Sequence, residues 1–126
     1  MKQEDFQHWI ELFNRGHYFE AHEALEDAWR AAPAEHKQFL QGLVQAAVGM
    51  HHFTRGNRTG ARGVLARAVR NLEPYAPERM GVDLGPLLKS LREWLGCAEH
   101  GSDPPAAPMM IANLRSTSER KTERDD

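Results

Sequence analysis

Apolar residues recur along this chain at three- and four-residue spacings, the mark of helices with one buried face. Phe6, Trp9, Ile10 and Phe13 stand at i, i+3, i+4 and i+7, which predicts a first helix over about residues 3–15, stopped by Gly16. A second is predicted from about His17 to Ala31, ended by Pro33. The third, from about Ala34 to Arg55, carries Phe39, Leu43, Ala46, Met50 and Phe53 on one face, with Leu40, Val44 and Ala47 beside it. So broad an apolar surface predicts a central position. Gly56-Asn57 breaks that helix, and a fourth follows over about residues 58–73, with Ala61, Val64, Leu65, Ala68 and Leu72 on its stripe. Pro74 and Pro77 end it. Asp83 is placed to cap a fifth helix whose stripe runs through Leu84, Leu87, Leu88, Leu91, Trp94, Leu95 and Ala98, closed by Gly101. No strand alternation is visible, so the expected class is all-α.

The helices fall into related pairs. "LFNRGHYFEAHEALEDAW" aligns with "HFTRGNRTGARGVLARAV" at an offset of 40, matching Phe13 with Phe53, Gly16 with Gly56, Ala21 with Ala61, Leu25 with Leu65 and Ala28 with Ala68. Each unit is a helix, a Gly turn and a second helix. Gly lets the chain reverse, and Ala lets the two helices approach closely. The rhythm is that of tetratricopeptide-like hairpins. It predicts a small antiparallel bundle of two such hairpins plus a closing helix, forming one domain over residues 1–101. Gly42 and Gly49 add a smooth strip on the third helix, where another backbone can come close. Beyond Gly101, three prolines precede "MMIANL", of which Met109, Met110 and Ile111 are placed to fold back onto the bundle. Residues 102–126 are otherwise expected to be a Pro-rich segment and a charged, disordered tail.

Composition narrows the function classes. The 126 residues fit one domain, and a net charge of −2 offers no general attraction to nucleic acid or an anionic membrane. Arg55, Arg58, Arg62, Arg67 and Arg70 spread around the fourth helix, as a solvated face does. One cysteine, Cys97, excludes an internal disulfide framework and fits a reducing compartment. The charged N-terminus has no apolar leader and no run is long enough to span a membrane, so a cytoplasmic protein is expected.

The chemistry concentrates in "YFEAHEALEDAW". His22 and Glu26, at i and i+4, fall within the apolar arc marked by Tyr18, Phe19, Leu25 and Trp29. The second hairpin has Arg62 and Ala66 there, and Gly63 in place of Glu23, so packing alone does not require the polar trio. A carboxylate inside an apolar arc must be paired, protonated or metal-bound. Gln41, Gln45 and His52 of the third helix, with Gln38 nearby, are the expected facing groups. Three readings follow. In the first, His22 and Glu26 ligate a divalent metal, with His52, His51 or Gln45 as third ligand and Glu23 as general base on a metal-bound water. In the second, the cluster is a structural network with Arg15 or Arg30. In the third, a polar seam walled by Tyr18, Phe19 and Trp29 receives a small molecule or a protein.

Three separated blocks carry a resemblance: Phe19 to Trp29 (aromatic-Glu-Ala-His-Glu-x-x-Glu-x-x-Trp), Gln41 to Gln45 (Gln-Gly-Leu-x-Gln) and His52 to Asn57 (His-x-x-Arg-Gly-Asn). In that order they resemble the domain-of-unknown-function family 309, over about residues 10–75. The resemblance implies a small all-helical domain of bacteria and archaea, some of whose members are called predicted metal-dependent hydrolases on the strength of the His-Glu motif. Here it points to His22, Glu23 and Glu26, faced by Gln41 and Gln45.

Overall fold

The computed structural model describes residues 3–115. Five α-helices follow in order: α1 (Gln3–Asn14), α2 (Tyr18–Ala31), α3 (Ala34–Thr54), α4 (Arg58–Leu72) and α5 (Leu84–His100). Each packs on the next, giving the all-α stack of two hairpins and a closing helix. Among the described residues no helix is long and apolar enough to cross a membrane.

The repeat is geometric as well as sequential. Gly16 and Gly56 both take the left-handed conformation, at φ +83° and +80°, which a Cβ disfavours. Each donates its N–H to the phenylalanine three residues back, Phe13 or Phe53, at 3.0 and 3.1 Å. The next residue, His17 or Asn57, bonds back to Leu12 or His52 at 2.9 Å in both turns. Ala21 and Ala61, Leu25 and Leu65 are all fully buried, as the matched pattern requires. α3 and α4 meet most closely: a Cβ on Gly42 would lie 2.6 Å from Leu72 Cγ, and one on Gly49 2.7 Å from Leu65 Cγ.

The connection from α4 to α5 departs from the expected pattern. A 3-10 turn (Glu73–Tyr75) leads into a two-residue antiparallel ladder, β1 (Glu78–Arg79) with β2 (Val82–Asp83). The loop is Met80-Gly81, both at positive φ (53° and 84°), the geometry that matches the right-handed twist of a tight hairpin. Two residues per strand are too few to show alternation. Asp83 precedes α5 but makes no side-chain cap. Its N–H bonds instead to the Ala112 carbonyl at 3.1 Å.

Residues 109–113 return to the bundle, as the apolar "MMI" had indicated for two of its three residues. Met109 and Ile111 are buried while Met110 stays exposed, the alternation of an extended segment. The Asn14 amide clamps Ile111, donating to its carbonyl at 2.9 Å and accepting from its N–H at 2.8 Å. The charged tail beyond Arg115 lies outside the described residues.

Tyr18 begins α2 edge-to-face on Phe13, ring centroids 5.1 Å apart. Its burial pushes the phenol above the ordinary 10.0. Above pH 10 the unfolded chain releases this proton while the folded chain retains it, so stability falls as pH rises toward the raised folded value. Urea unfolding between about pH 9 and 11 should therefore show a steeper loss for the parent than for Tyr18→Phe; equal slopes would contradict it.

Candidate functional site

α2 resolves its own polar conflict. His22 Nε2 pairs with Glu26 Oε1, and Arg30 donates to Glu26 Oε2 at 3.2 Å and to Asp27 Oδ1 at 3.0 Å. These are i,i+4 and i,i+3 pairs, so the partners come from the same helix rather than from a neighbour. His22 and Glu26 are part-exposed at the margin of the apolar arc, and Glu23 is exposed. Together with Asp27 and Arg30 they line a shallow recess of about 220 Å³. Pairs of this kind are worth about 0.3–0.5 kcal/mol each, enough to bias side-chain orientation but not to hold a fold.

The glutamines of α3 serve the opposite seam. Gln45 Oε1 accepts from Asn71 Nδ2 of α4 at 2.7 Å, and Gln38 Oε1 accepts from the Tyr75 hydroxyl at 3.5 Å. Gln41 is half-buried on the same helix. His52 Nδ1 meets Asn57 Nδ2 at 3.4 Å, beside the turn into α4. His51 comes nearest the trio, since Phe19 lies between its ring and that of His22, with centroids 5.4 and 5.5 Å apart. Tyr18 is in the core, and Trp29 is half-buried under Lys37, whose Nζ sits 4.7 Å from the ring centroid. Neither lines a recess with His22.

A metal needs three or more convergent donors. Among the described residues no group of three His, Cys, Asp or Glu side chains is placed to hold one. His22 and Glu26 are a two-donor pair already joined to each other, and neither Gln45 nor His52 completes it. The donor set thus does not fit a resident metal.

A larger opening lies further around α2, with Asp27 lining both. A cavity of about 400 Å³ forms where α1, the second half of α2, the start of α3 and the β-hairpin converge. Its floor is alanine: Ala24, Ala28 and Ala31 of α2, then Ala32. Leu40, Trp9 and Met80 form apolar walls, and His8, Asp27 and His36 stand at polar points around it. The repeat explains why it is there. At the offset of 40 these four alanines correspond to Val64, Ala68, Asn71 and Leu72, and Leu72 is fully buried. The second hairpin thus carries branched aliphatic side chains, Val64 and Leu72, at two of the four positions where the first has alanine. The alanine pattern was present in the sequence, but it reads as helix propensity until the neighbouring walls are known.

Two further features mark this cavity. Trp9 is 1% exposed, yet its indole Nε1–H is buried without a hydrogen-bond partner among the described residues. Met80 holds a left-handed backbone without being glycine, a conformation that costs about 1 kcal/mol or more. By contrast, Cys97 is an ordinary packed residue whose thiol donates to the Ser102 carbonyl at 2.8 Å. Arg58, one of the α4 arginines, turns inward to the Cys97 and Ser102 carbonyls at 3.2 and 2.8 Å.

Residues 6–64 match the model of the family described as "Domain of unknown function (DUF309)". The chain is similar to the protein named "Uncharacterized protein YpuF" of Bacillus subtilis (strain 168), 36% identical over 86 residues, which are 66% of this chain and 49% of that protein. It is also similar to a protein named "Uncharacterized protein" of Aquifex aeolicus (strain VF5), 32% identical over 93 residues, 73% of this chain and 28% of that protein. The chain thus spans half or less of the length of these relatives.

Proposed function

We propose that this domain is a non-enzymatic binding module, with the α1–α2–α3 cavity as its site and the His22–Glu26–Arg30 ladder as a surface network that fixes α2. The observation that carries this reading is the contrast between the two openings. In the polar recess the His22 imidazole pairs with Glu26, and Arg30 engages both Glu26 and Asp27. The cavity has room for a small molecule, predominantly apolar walls and a few polar groups, the usual make-up of a ligand site. The hydrolase reading asks His22 and Glu26 to hold a cation with Glu23 as base, and it lacks a third donor.

Methyl NMR tests the proposal. Benzoate or toluene should shift the methyl resonances of Ala24, Ala28, Ala32 and Met80, and Ala28→Leu, which fills the floor, should abolish the shifts. Absence of shifts with both probes would overturn it. Metal content separates the alternatives. Protein purified without chelator should carry the same cation content with His22 intact or replaced in His22→Ala. A stoichiometric cation present only in the parent would restore the hydrolase reading.

A further inference from the structure

We infer that the exposed face of α4 docks on the phosphate backbone of a nucleic-acid duplex, a role independent of the cavity. The ground is a charge separation that the overall value of −2 conceals. α2 carries Glu20, Glu23, Glu26 and Asp27 against Arg30 alone. α4, its counterpart in the repeat, carries Arg58, Arg62, Arg67 and Arg70 and no acid. Arg58 turns inward to the Cys97 and Ser102 carbonyls. The other three are exposed and enter no salt bridge among the described residues. At 3.6 residues per turn they span about 140° of the helix surface.

These charges do not serve the helix. Its first turn holds no acid to complement the dipole. Arg62 and Arg67 have no carboxylate three or four residues away, and Glu73, three beyond Arg70, is held by Arg92. Arg67 and Arg70 are like charges on adjacent turns, which weakens a helix. Phosphate suits them better. All are arginine, whose planar fork grips phosphate oxygens bidentately. Arg62 to Arg70 covers about 12 Å of helix axis, the axial rise of about three to four phosphates on one strand. The remaining exposed positions of α4 are Thr59 and Gly63, and an added Cβ on Gly63 would meet nothing within 4 Å, so a backbone can come close. That face offers no aromatic ring for the bases of a single strand and no large apolar side chain to enter a membrane. A second copy is the poorer match, because Glu26 and Asp27 of α2 are engaged by Arg30.

Backbone amide NMR of the full chain, titrated at low salt with a short DNA duplex of random sequence, tests the inference. Thr59, Arg62, Gly63, Arg67 and Arg70 should shift. The logarithm of the affinity should fall against that of salt with a slope of about −2.7, for three phosphate contacts. Arg67→Ala should bring the slope to about −1.8, whereas Arg15→Ala, at an exposed arginine of the first hairpin, should leave it unchanged. Gly63→Glu, which gives α4 the acid that α2 has at Glu23, should weaken binding at least about tenfold. Absence of shifts on α4, or a slope that Arg67→Ala does not move, would overturn the inference. So would tighter binding of a single strand than of the duplex. Equal shifts with poly-glutamate would assign the face to an acidic protein instead, and shifts with phosphatidylserine vesicles to a membrane; either result overturns the duplex.

Discussion

Met109→Ala is expected to cost the fold about 2–5 kcal/mol, while Met110→Ala, one residue along, should stay within about 0.5 kcal/mol. Met109 is fully buried and Ile111 nearly so, whereas half of the Met110 surface is exposed. The contrast depends on an extended backbone that sends neighbours to opposite faces. That backbone is fixed on both sides. Asn14 holds Ile111 from α1, and the Leu114 N–H bonds the Gly81 carbonyl of the hairpin turn at 2.7 Å. Truncation at 109 thus leaves a cavity that its neighbours are not free to fill, which places the cost above simple transfer. Urea midpoints at unchanged slope measure it. Equal midpoints for the two variants would show that the returning segment contributes nothing to the core.

Gly49→Ala should lose about 1–3 kcal/mol, although alanine is the better helix former by about 1 kcal/mol. The new methyl would meet Leu65 Cδ2 at 2.5 Å and Cγ at 2.7 Å, with the Leu65 backbone nitrogen close behind at 3.5 Å. Leu65 is itself fully buried and cannot swing away without opening a void elsewhere. Gly42→Ala meets the same obstacle at Leu72, and there Asn71, which binds Gln45, would have to shift too. Gly63→Ala is the internal control. It is exposed on α4 with nothing within 4 Å of the added Cβ, so propensity acts alone and stability should rise by about 0.5–1 kcal/mol. Thermal unfolding of the three variants separates close approach from helix propensity; a stabilised Gly49→Ala would show that α3 and α4 are not in contact along that strip.

The helices were legible because their apolar spacing is local, and the two hairpins because Gly16 and Gly56 sit in matched surroundings. The strip of Gly42 and Gly49 marks a place of close approach in the sequence, and α4 fills that place. The β-hairpin was not legible, since Met80-Gly81 lacks the Asn-Gly or Asp-Gly signature of such turns and its strands are too short for a period. The polar trio was legible as an anomaly, but its partners were not. A helical wheel places His22 and Glu26 within an arc, and it cannot say whether the arc's margin is covered by the next helix. Their side chains are long enough to pair along α2 and stay at the surface. Gln45 turned to α4 for a related reason: a glutamine on a helix between two neighbours can face either one, and Asn71 stands on one side only. The cavity was missed because it is defined by what is small. Alanines at 24, 28, 31 and 32 carry no chemistry of their own, and their meaning emerges only beside Val64, Asn71 and Leu72.

The Asn14–Ile111 clamp joins residues 97 positions apart, and Asn113 reaches Gln7 of the same first helix across 106, in a chain whose helices pack mainly on their sequence neighbours. A stack of hairpins can assemble progressively as it leaves the ribosome, each helix docking on the one before. Here the first helix waits for nearly the last described strand of chain. Until Ile111 has emerged, the Asn14 amide and the surface that Met109 covers stay open to water. Completion of the domain thereby waits until residues 109–113 have been made.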